Sequence, residues 1–339
     1  MKVIIDDKIP YIKGQIETIA DCVVYMKGSD ISASDVKDAD VLIVRTRTRC
    51  DRSLLEGSKV SLIVTATIGY DHIDTSFCAE AGIKWTNCPG CNASSVRQYV
   101  HNSLLVLGKT HHDFTIGVIG AGHVGSLVAA DCKAMGMTVL VSDPPRQECG
   151  DTIEGIPFAT LNEIAERADI ITFHTPLLRD GKHPTYHLAD ASFFRRLQRK
   201  PLIINSSRGA VVDNAALVSA LDAGMVCDSV IDTWEGEPDI NLQLLKRAVI
   251  ATPHIAGYSA DGKANATRMS LQAICRHMGI PFTLNITPPE LPENLRPTSS
   301  NPDERAIQLY DPRHDTALLK ANPEKFEFFR GHYPLRREE

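Results

Sequence analysis

At 339 residues the chain exceeds what one hydrophobic core usually supports, so two or three domains are expected. A net charge of −6 gives no reason to expect a nucleic-acid partner, and no apolar stretch is long enough to span a bilayer as a helix. Nine scattered cysteines read as reduced thiols of a cytoplasmic protein, and Asp6 interrupts the first apolar run, which argues against a signal peptide.

From the N-terminus, brief β-branched runs at residues 3–5, 41–44 and 62–65 predict buried strands. Residues 11–20 and 53–57 between them predict helices, and the βαβ rhythm predicts a parallel sheet covered on both faces. Cys88-Pro89-Gly90-Cys91-Asn92 reads as a loop, with Asn92 placed to cap a long helix over about 93–107. A second βα series follows, with strands expected at 115–119, 138–142, 170–173, 202–205, 229–232 and 249–251. Six such strands with helical connections make a complete doubly wound nucleotide-binding domain. Residues 259–278 predict one more helix. Prolines at 288, 289, 292, 297 and 302 then mark an extended linker, before a charged stretch carrying Phe326, Phe328, Phe329 and Tyr333.

Gly120-Ala121-Gly122-His123-Val124-Gly125 follows one predicted strand and opens a helix, the context a dinucleotide turn requires. The first glycine permits the tight turn, the second lets backbone approach a pyrophosphate, and the third lets helix pack on strand. Asp143 ends the next strand, where a carboxylate bonds a ribose 2′-hydroxyl and repels a 2′-phosphate. NAD is therefore expected rather than NADP.

Ser206-Ser207-Arg208-Gly209, Glu235-Gly236-Glu237-Pro238 and Pro253-His254-Ile255-Ala256-Gly257-Tyr258 each follow a predicted strand of this second sheet. Arg208 can clamp a carboxylate through a planar fork of donors. His254 can take the proton of a hydroxyl while hydride leaves, with Glu237 fixing its tautomer. Taken singly, each residue has a plain reading as a surface pair, a solvated loop acid or a core histidine. At consecutive strand ends beyond a dinucleotide turn, the three point to oxidation of a 2-hydroxy acid.

At these residues the chain resembles the D-isomer-specific 2-hydroxyacid dehydrogenases. The motifs are Gly120 to Gly125, the Arg208, Glu237 and His254 set, Thr65-Ala66-Thr67-x-Gly69-x-Asp71-His72, Asp143-Pro144-Pro145-Arg146 and Phe173-His174-Thr175-Pro176-Leu177. Pro89-Gly90-Cys91-Asn92-Ala93 and His254 to Tyr258 complete them. The resemblance implies two doubly wound parallel-sheet domains, one flavodoxin-like and substrate-binding, one a Rossmann domain for NAD, plus a short C-terminal dimerisation region. The implied division is residues 1–92 with 257–285 for substrate, 93–256 for NAD, and 286–339 for linker and dimerisation. It further implies Arg208, Glu237 and His254 as active-site residues. NAD contacts fall at Gly120, Gly122, Val124, Gly125, Asp143, Thr175, Ser206, Ser207, Arg208, Asp232 and Gly257, and substrate contacts at Thr46, Thr67 and Tyr258. The motif strings other than the glycine turn and the Arg208, Glu237 and His254 set imply a branch that oxidises 4-phospho-D-erythronate to 3-hydroxy-2-oxo-4-phosphooxybutanoate in vitamin B6 biosynthesis, as a cytoplasmic homodimer. Another hydroxy-acid substrate, or a non-catalytic NAD-sensing scaffold, stays open as an alternative.

A phosphorylated substrate needs cations. Arg45, Arg47 and Arg49 alternate, so an extended segment would set all three on one side. No metal is expected. His111-His112 lacks a supporting acid cluster in this reading, Pro184 separates His183 from His187, and His72 is expected to shape the turn after Thr67. Cys88 and Cys91 form a C-x-x-C spacing without a thioredoxin-like context.

Overall fold

The structure, a computed structural model, describes residues 1–153 and 155–338. Its strands are β1 (Lys2–Asp6), β2 (Cys22–Met26), β3 (Val41–Val44), β4 (Leu62–Thr65), β5 (Lys84–Thr86), β6 (Thr115–Ile119), β7 (Thr138–Ser142), β8 (Ile170–Phe173), β9 (Leu202–Asn205), β10 (Asp228–Ile231) and β11 (Ile250–Ala251). All pair in parallel, in two sheets ordered β2-β1-β3-β4-β5 and β11-β10-β9-β8-β6-β7. The first order is flavodoxin-like. The second gains its outermost position from a single parallel bridge, Val141 to Phe158, which restores the doubly wound order on both sides of the β6–β8 reversal.

Residues 1–92 and 259–290 form one compact unit, and residues 93–258 with Leu291 onward form the other. In the first, alternate faces of β1, β3 and β4 bury their apolar side chains in separate clusters, Ile4, Leu42 and Ile63 in one, Val3, Ile5, Val41, Ile43 and Val64 in the other. The second repeats the arrangement, with Ile171, Phe173 and Ile203 on one face and Ile116, Val118, Ile204 and Val230 on the opposite face. Burial on both sides is what makes parallel strands read as unbroken apolar runs.

Three expectations change. Residues 11–20 hold only a single 3₁₀ turn, Ile16–Thr18, because Tyr11 at φ 59° and Gly14 at φ 81° turn the chain left-handed. Edge strands β2 and β5 join the first sheet at positions where no strand was expected. The expected linker ends at residue 301, where Pro302 opens the helix Pro302–Leu309, and the charged stretch after it, for which no helix was expected, holds the helices Pro312–Ala321 and Phe326–Gly331. Pro302 and Pro312 occupy the first helical position, where no backbone N–H is needed, and the Asn301 and Asp311 side chains cap the amides beyond them. No helix among the described residues is long and apolar enough to cross a membrane.

Candidate active site

The glycine turn leads from β6 into the helix His123–Ala134. Gly120 sits at φ 86°, and a Cβ there would come within 2.8 Å of the His174 backbone; a Cβ at Gly125 would collide with the Gly120 carbonyl. Gly122 differs. A Cβ there would meet nothing within 4 Å, and no side chain caps the helix it precedes. Open space beside uncapped helix-start amides suits a pyrophosphate. Val124, half-buried, packs its side chain against the core beneath. Among the described residues the buried hydroxyls of Thr175 and Ser206 have no hydrogen-bond partner, as groups reserved for a ligand would be. Ser207, by contrast, is satisfied by Asn205 Oδ1 at 2.9 Å. The residues present therefore fit a dinucleotide.

Asp143 already accepts two backbone bonds, from Ala121 N at 2.7 Å and Arg146 N at 3.1 Å, so it ties the strand end to the turn. Arg146 reaches back to the Ala121 carbonyl and to Ser126 Oγ. Behind the turn, His174 is half-buried with its Nδ1 out of solvent, and its Nε2 lies 2.9 Å from Thr172 Oγ1. Burial alone drives its pKa down to about 3, so the ring stays neutral.

Arg208, Glu237 and His254 leave the ends of β9, β10 and β11, three strands adjacent in one sheet. Buried Asn205 builds the first loop, donating to the Arg208 carbonyl at 3.0 Å and accepting from Ser207 N at 3.1 Å. Gly209 then packs directly against the backbone of Trp234 and Glu235, which sets the first loop on the second. Among the described residues no carboxylate pairs with Arg208; its Nη1 donates to the Ser207 carbonyl at 2.8 Å. A surface ion pair is thereby set aside, and the fork is available to an anion.

Glu237 Oε1 accepts from Trp234 N at 2.8 Å, and Oε2 lies 2.7 Å from His254 Nδ1. Burial alone would raise this carboxyl, but the bond and charge of His254 hold it below its ordinary value. An ionised Glu237 places the proton on Nδ1 and leaves Nε2 as the basic nitrogen. His254 itself sits at φ 57°, left-handed for a residue with a side chain. The other acid of that loop, Glu235, turns away to His187 Nε2 at 2.7 Å.

Asp232, only 1% exposed, accepts from Thr252 Oγ1 at 2.6 Å, Ile255 N at 2.7 Å and Ala256 N at 3.0 Å, and burial raises its pKa. It anchors the strand end behind His254. Tyr258 meets the Tyr333 ring edge-on at 6.0 Å, and Gly257 is half-buried beside it. In the other unit Thr67 Oγ1 donates to the Gly69 carbonyl at 2.9 Å and shares a bond with Thr65, which His72 Nε2 reaches at 3.1 Å. His72 thus shapes that turn. Thr46 is exposed.

The three arginines do not share one side. Residues 45–49 form a turn, because buried Thr48 bonds the Gly28 carbonyl at 2.8 Å, and an extended segment is impossible there. Arg45 donates to the Lys8 carbonyl, whereas Arg47 and Arg49 line a groove with Gly28, Ser29, Ile31 and Ala33, and Arg49 pairs with Asp51 at 2.9 Å. The histidine pair also differs: Asp113 joins it, 3.1 Å from His111 and 3.2 Å from His112, in a fully exposed cluster. His183 faces Glu148 at 3.1 Å, apart from His187, whose Asp213 and Glu235 neighbours the sequence did not suggest. Cys88 bonds Thr65 O, Ala266 O and Ser270, and burial pushes its thiol up to about 11, far from redox-active character.

The second sheet with its turn defines the class: a doubly wound dinucleotide-binding protein carrying an imidazole–carboxylate pair. The family model for the D-isomer specific 2-hydroxyacid dehydrogenase NAD binding domain matches residues 91–256. A solved D-lactate dehydrogenase from Aquifex aeolicus, complexed with NAD and lactic acid, superposes with a TM-score of 0.66 at 23% identity, over 82% of this chain and 96% of that one. A 3-phosphoglycerate dehydrogenase from Entamoeba histolytica, with bound NAD, also scores 0.66, at 24% identity over 82% and 95%. The erythronate-4-phosphate dehydrogenase of Bacteroides fragilis is 55% identical over 100% of this chain and 97% of its own length, and that of Escherichia coli O81 is 41% identical over 100% and 92%. The chain belongs to the erythronate-4-phosphate dehydrogenase family of the D-isomer-specific 2-hydroxyacid dehydrogenases. It is an NAD-dependent oxidoreductase acting on a small hydroxy acid.

Proposed function

We infer that the protein oxidises 4-phospho-D-erythronate to 3-hydroxy-2-oxo-4-phosphooxybutanoate, a step of vitamin B6 biosynthesis. The observation that carries the chemistry is the 2.7 Å pair of Glu237 and His254 Nδ1, which leaves Nε2 to receive the substrate's hydroxyl proton. Glu237 then stabilises the imidazolium through that same bond. Arg208 holds the substrate carboxylate with its unpaired fork. NAD, when bound, supplies the hydride acceptor, held at Gly120, Gly122, Val124, Gly125, Asp143, Thr175, Ser206, Ser207, Arg208, Asp232 and Gly257. Substrate contacts are assigned to Thr46, Thr67 and Tyr258. Choice of this substrate over other hydroxy acids rests on the 55% relative.

A cytoplasmic homodimer completes the proposal, and exposed Leu318 and Phe328 on the C-terminal helices offer apolar surface for it. The deciding assay follows NADH absorbance with 4-phosphoerythronate, unphosphorylated erythronate and 3-phosphoglycerate in parallel. Turnover should be greatest with 4-phosphoerythronate. Equal or better rates with either of the others would reassign the substrate, and no NADH from any of them would remove the enzymatic reading.

A further inference from the structure

His254 occupies a left-handed backbone conformation, which persists only when its surroundings over-determine it. The residues that follow it, Ile255 and Ala256, are gripped from two directions. Their amides donate to Asp232. Their carbonyls both accept from one guanidinium, that of Arg336: Nη1 reaches Ile255 O at 3.3 Å and Nη2 reaches Ala256 O at 2.9 Å.

Arg336 lies in the segment after the last helix, yet it is only 3% exposed. A buried guanidinium is costly unless its donors are paired and its charge answered. Here Nε donates to Gln98 Oε1 at 3.0 Å, and Nη2 also donates to Ser95 O at 2.6 Å and Ser95 Oγ at 2.8 Å. The guanidinium lies over the Tyr310 ring, its carbon 4.0 Å from the centroid. Ser95 Oγ in turn donates to Ala256 O at 2.8 Å, closing the network on the same peptide. Three residues further back, Tyr333 packs against Tyr258 and donates to Asp315 Oδ2 at 2.8 Å. A lysine has three donors but no planar fork, and could not serve both carbonyls and Gln98 at once.

We propose that Arg336 is a positioning residue for His254: together with Asp232 it clamps the Ile255–Ala256 peptides and thereby holds the imidazole at its left-handed backbone site for proton transfer. This rests on the reading of His254 as the base. The C-terminal segment is on this account part of the catalytic machinery and not only a surface for assembly.

The test uses the full chain with 4-phosphoerythronate and NAD. Arg336→Ala should lower kcat by about tenfold to 10²-fold, the usual consequence of a reacting group displaced by about 1 Å, while NAD affinity, read by nucleotide fluorescence, stays native. Added guanidinium ion should restore much of the lost kcat, which a purely structural defect would not allow. Gln98→Met, which removes one anchor of the guanidinium, should show a smaller loss of the same kind and decides the matter if Arg336→Ala does not fold. A folded Arg336→Ala with native kcat overturns the clamp, as does a loss that guanidinium leaves unchanged, or a native kcat in Gln98→Met when it is the only folded variant. Failure of the native chain to form NADH would instead strike the functional reading itself.

Discussion

The glycine turn and the His254 loop lie on the same unit and are built by opposite means. The turn is made by what is missing: Gly120 and Gly125 have no Cβ where one would strike His174 or the turn's own carbonyl, and Gly122 leaves open space where a ligand can come. The loop is made by what is present: Asp232, Arg336, Ser95 and Glu237 hold its amides, its carbonyls and the Nδ1 of its imidazole with hydrogen bonds. Steric permission can be read from a few consecutive letters. A buried polar network draws its members from distant positions, and each must be satisfied for the rest to be stable.

The largest expected effect lies on the loop. Replacing His254 with alanine should cut turnover by roughly 10²–10⁴-fold, the span of a positioned base, while NAD titration by fluorescence gives native affinity. Unchanged turnover would separate the loop from the chemistry. Glu237→Gln keeps the shape of the pair but not its charge, so the ring loses its enforced tautomer; steady-state kinetics should show kcat down by about 10²-fold, with less change in KM.

Behind the turn, His174 offers a pH test of the same contrast. Its folded pKa is depressed from the ordinary 6.5 to about 3. Below pH 6.5 the unfolded chain therefore binds a proton that the folded chain excludes, so stability rises with pH across that window and levels off above it. His174 should account for about 2 kcal/mol of lost stability at pH 5 relative to neutral pH. Urea titrations of native and His174→Gln proteins at pH 7 and pH 5 check this: the variant should lose less on acidification, and identical losses would show that the ring is not held neutral.

The smallest effect distinguishes ligand space from folding space. Gly122→Ala should cost about 1 kcal/mol of folding stability, the difference between alanine and glycine at an N-cap, since its Cβ is unopposed. NAD affinity should nevertheless fall about tenfold, or about 1.4 kcal/mol. Native affinity in this variant would mean that the pyrophosphate does not approach there.

Central strands were legible because burial on both faces writes itself as a short β-branched run, as in Val41-Leu42-Ile43-Val44 or Leu202-Ile203-Ile204-Asn205. The edge strands of the first sheet, β2 and β5, were not. Lys84-Trp85-Thr86 has one neighbour and keeps Lys84 exposed, so its pattern is that of a loop. Pro302 misled because a proline reads as a breaker unless the capping residue before it is recognised as a helix start. The alternation of Arg45, Arg47 and Arg49 misled because Thr48 is drawn inward to the Gly28 carbonyl, an attraction across 20 residues that no local pattern announces.

What the amino-acid order determined by itself was the pair of parallel sheets, the turn between β6 and its helix, and the identity of Arg208, Glu237 and His254 as groups worth bringing together. These depend on side-chain periodicity, on glycine's freedom and on chemical type, all of which are local properties. Only the tertiary structure decided that Glu235 turns away to His187, that Asp232 braces the strand end behind the imidazole, and that Arg336, 82 positions beyond His254, holds the adjoining peptides. Those choices follow from which donors and acceptors burial leaves facing one another, and that is settled only when the chain has closed on itself.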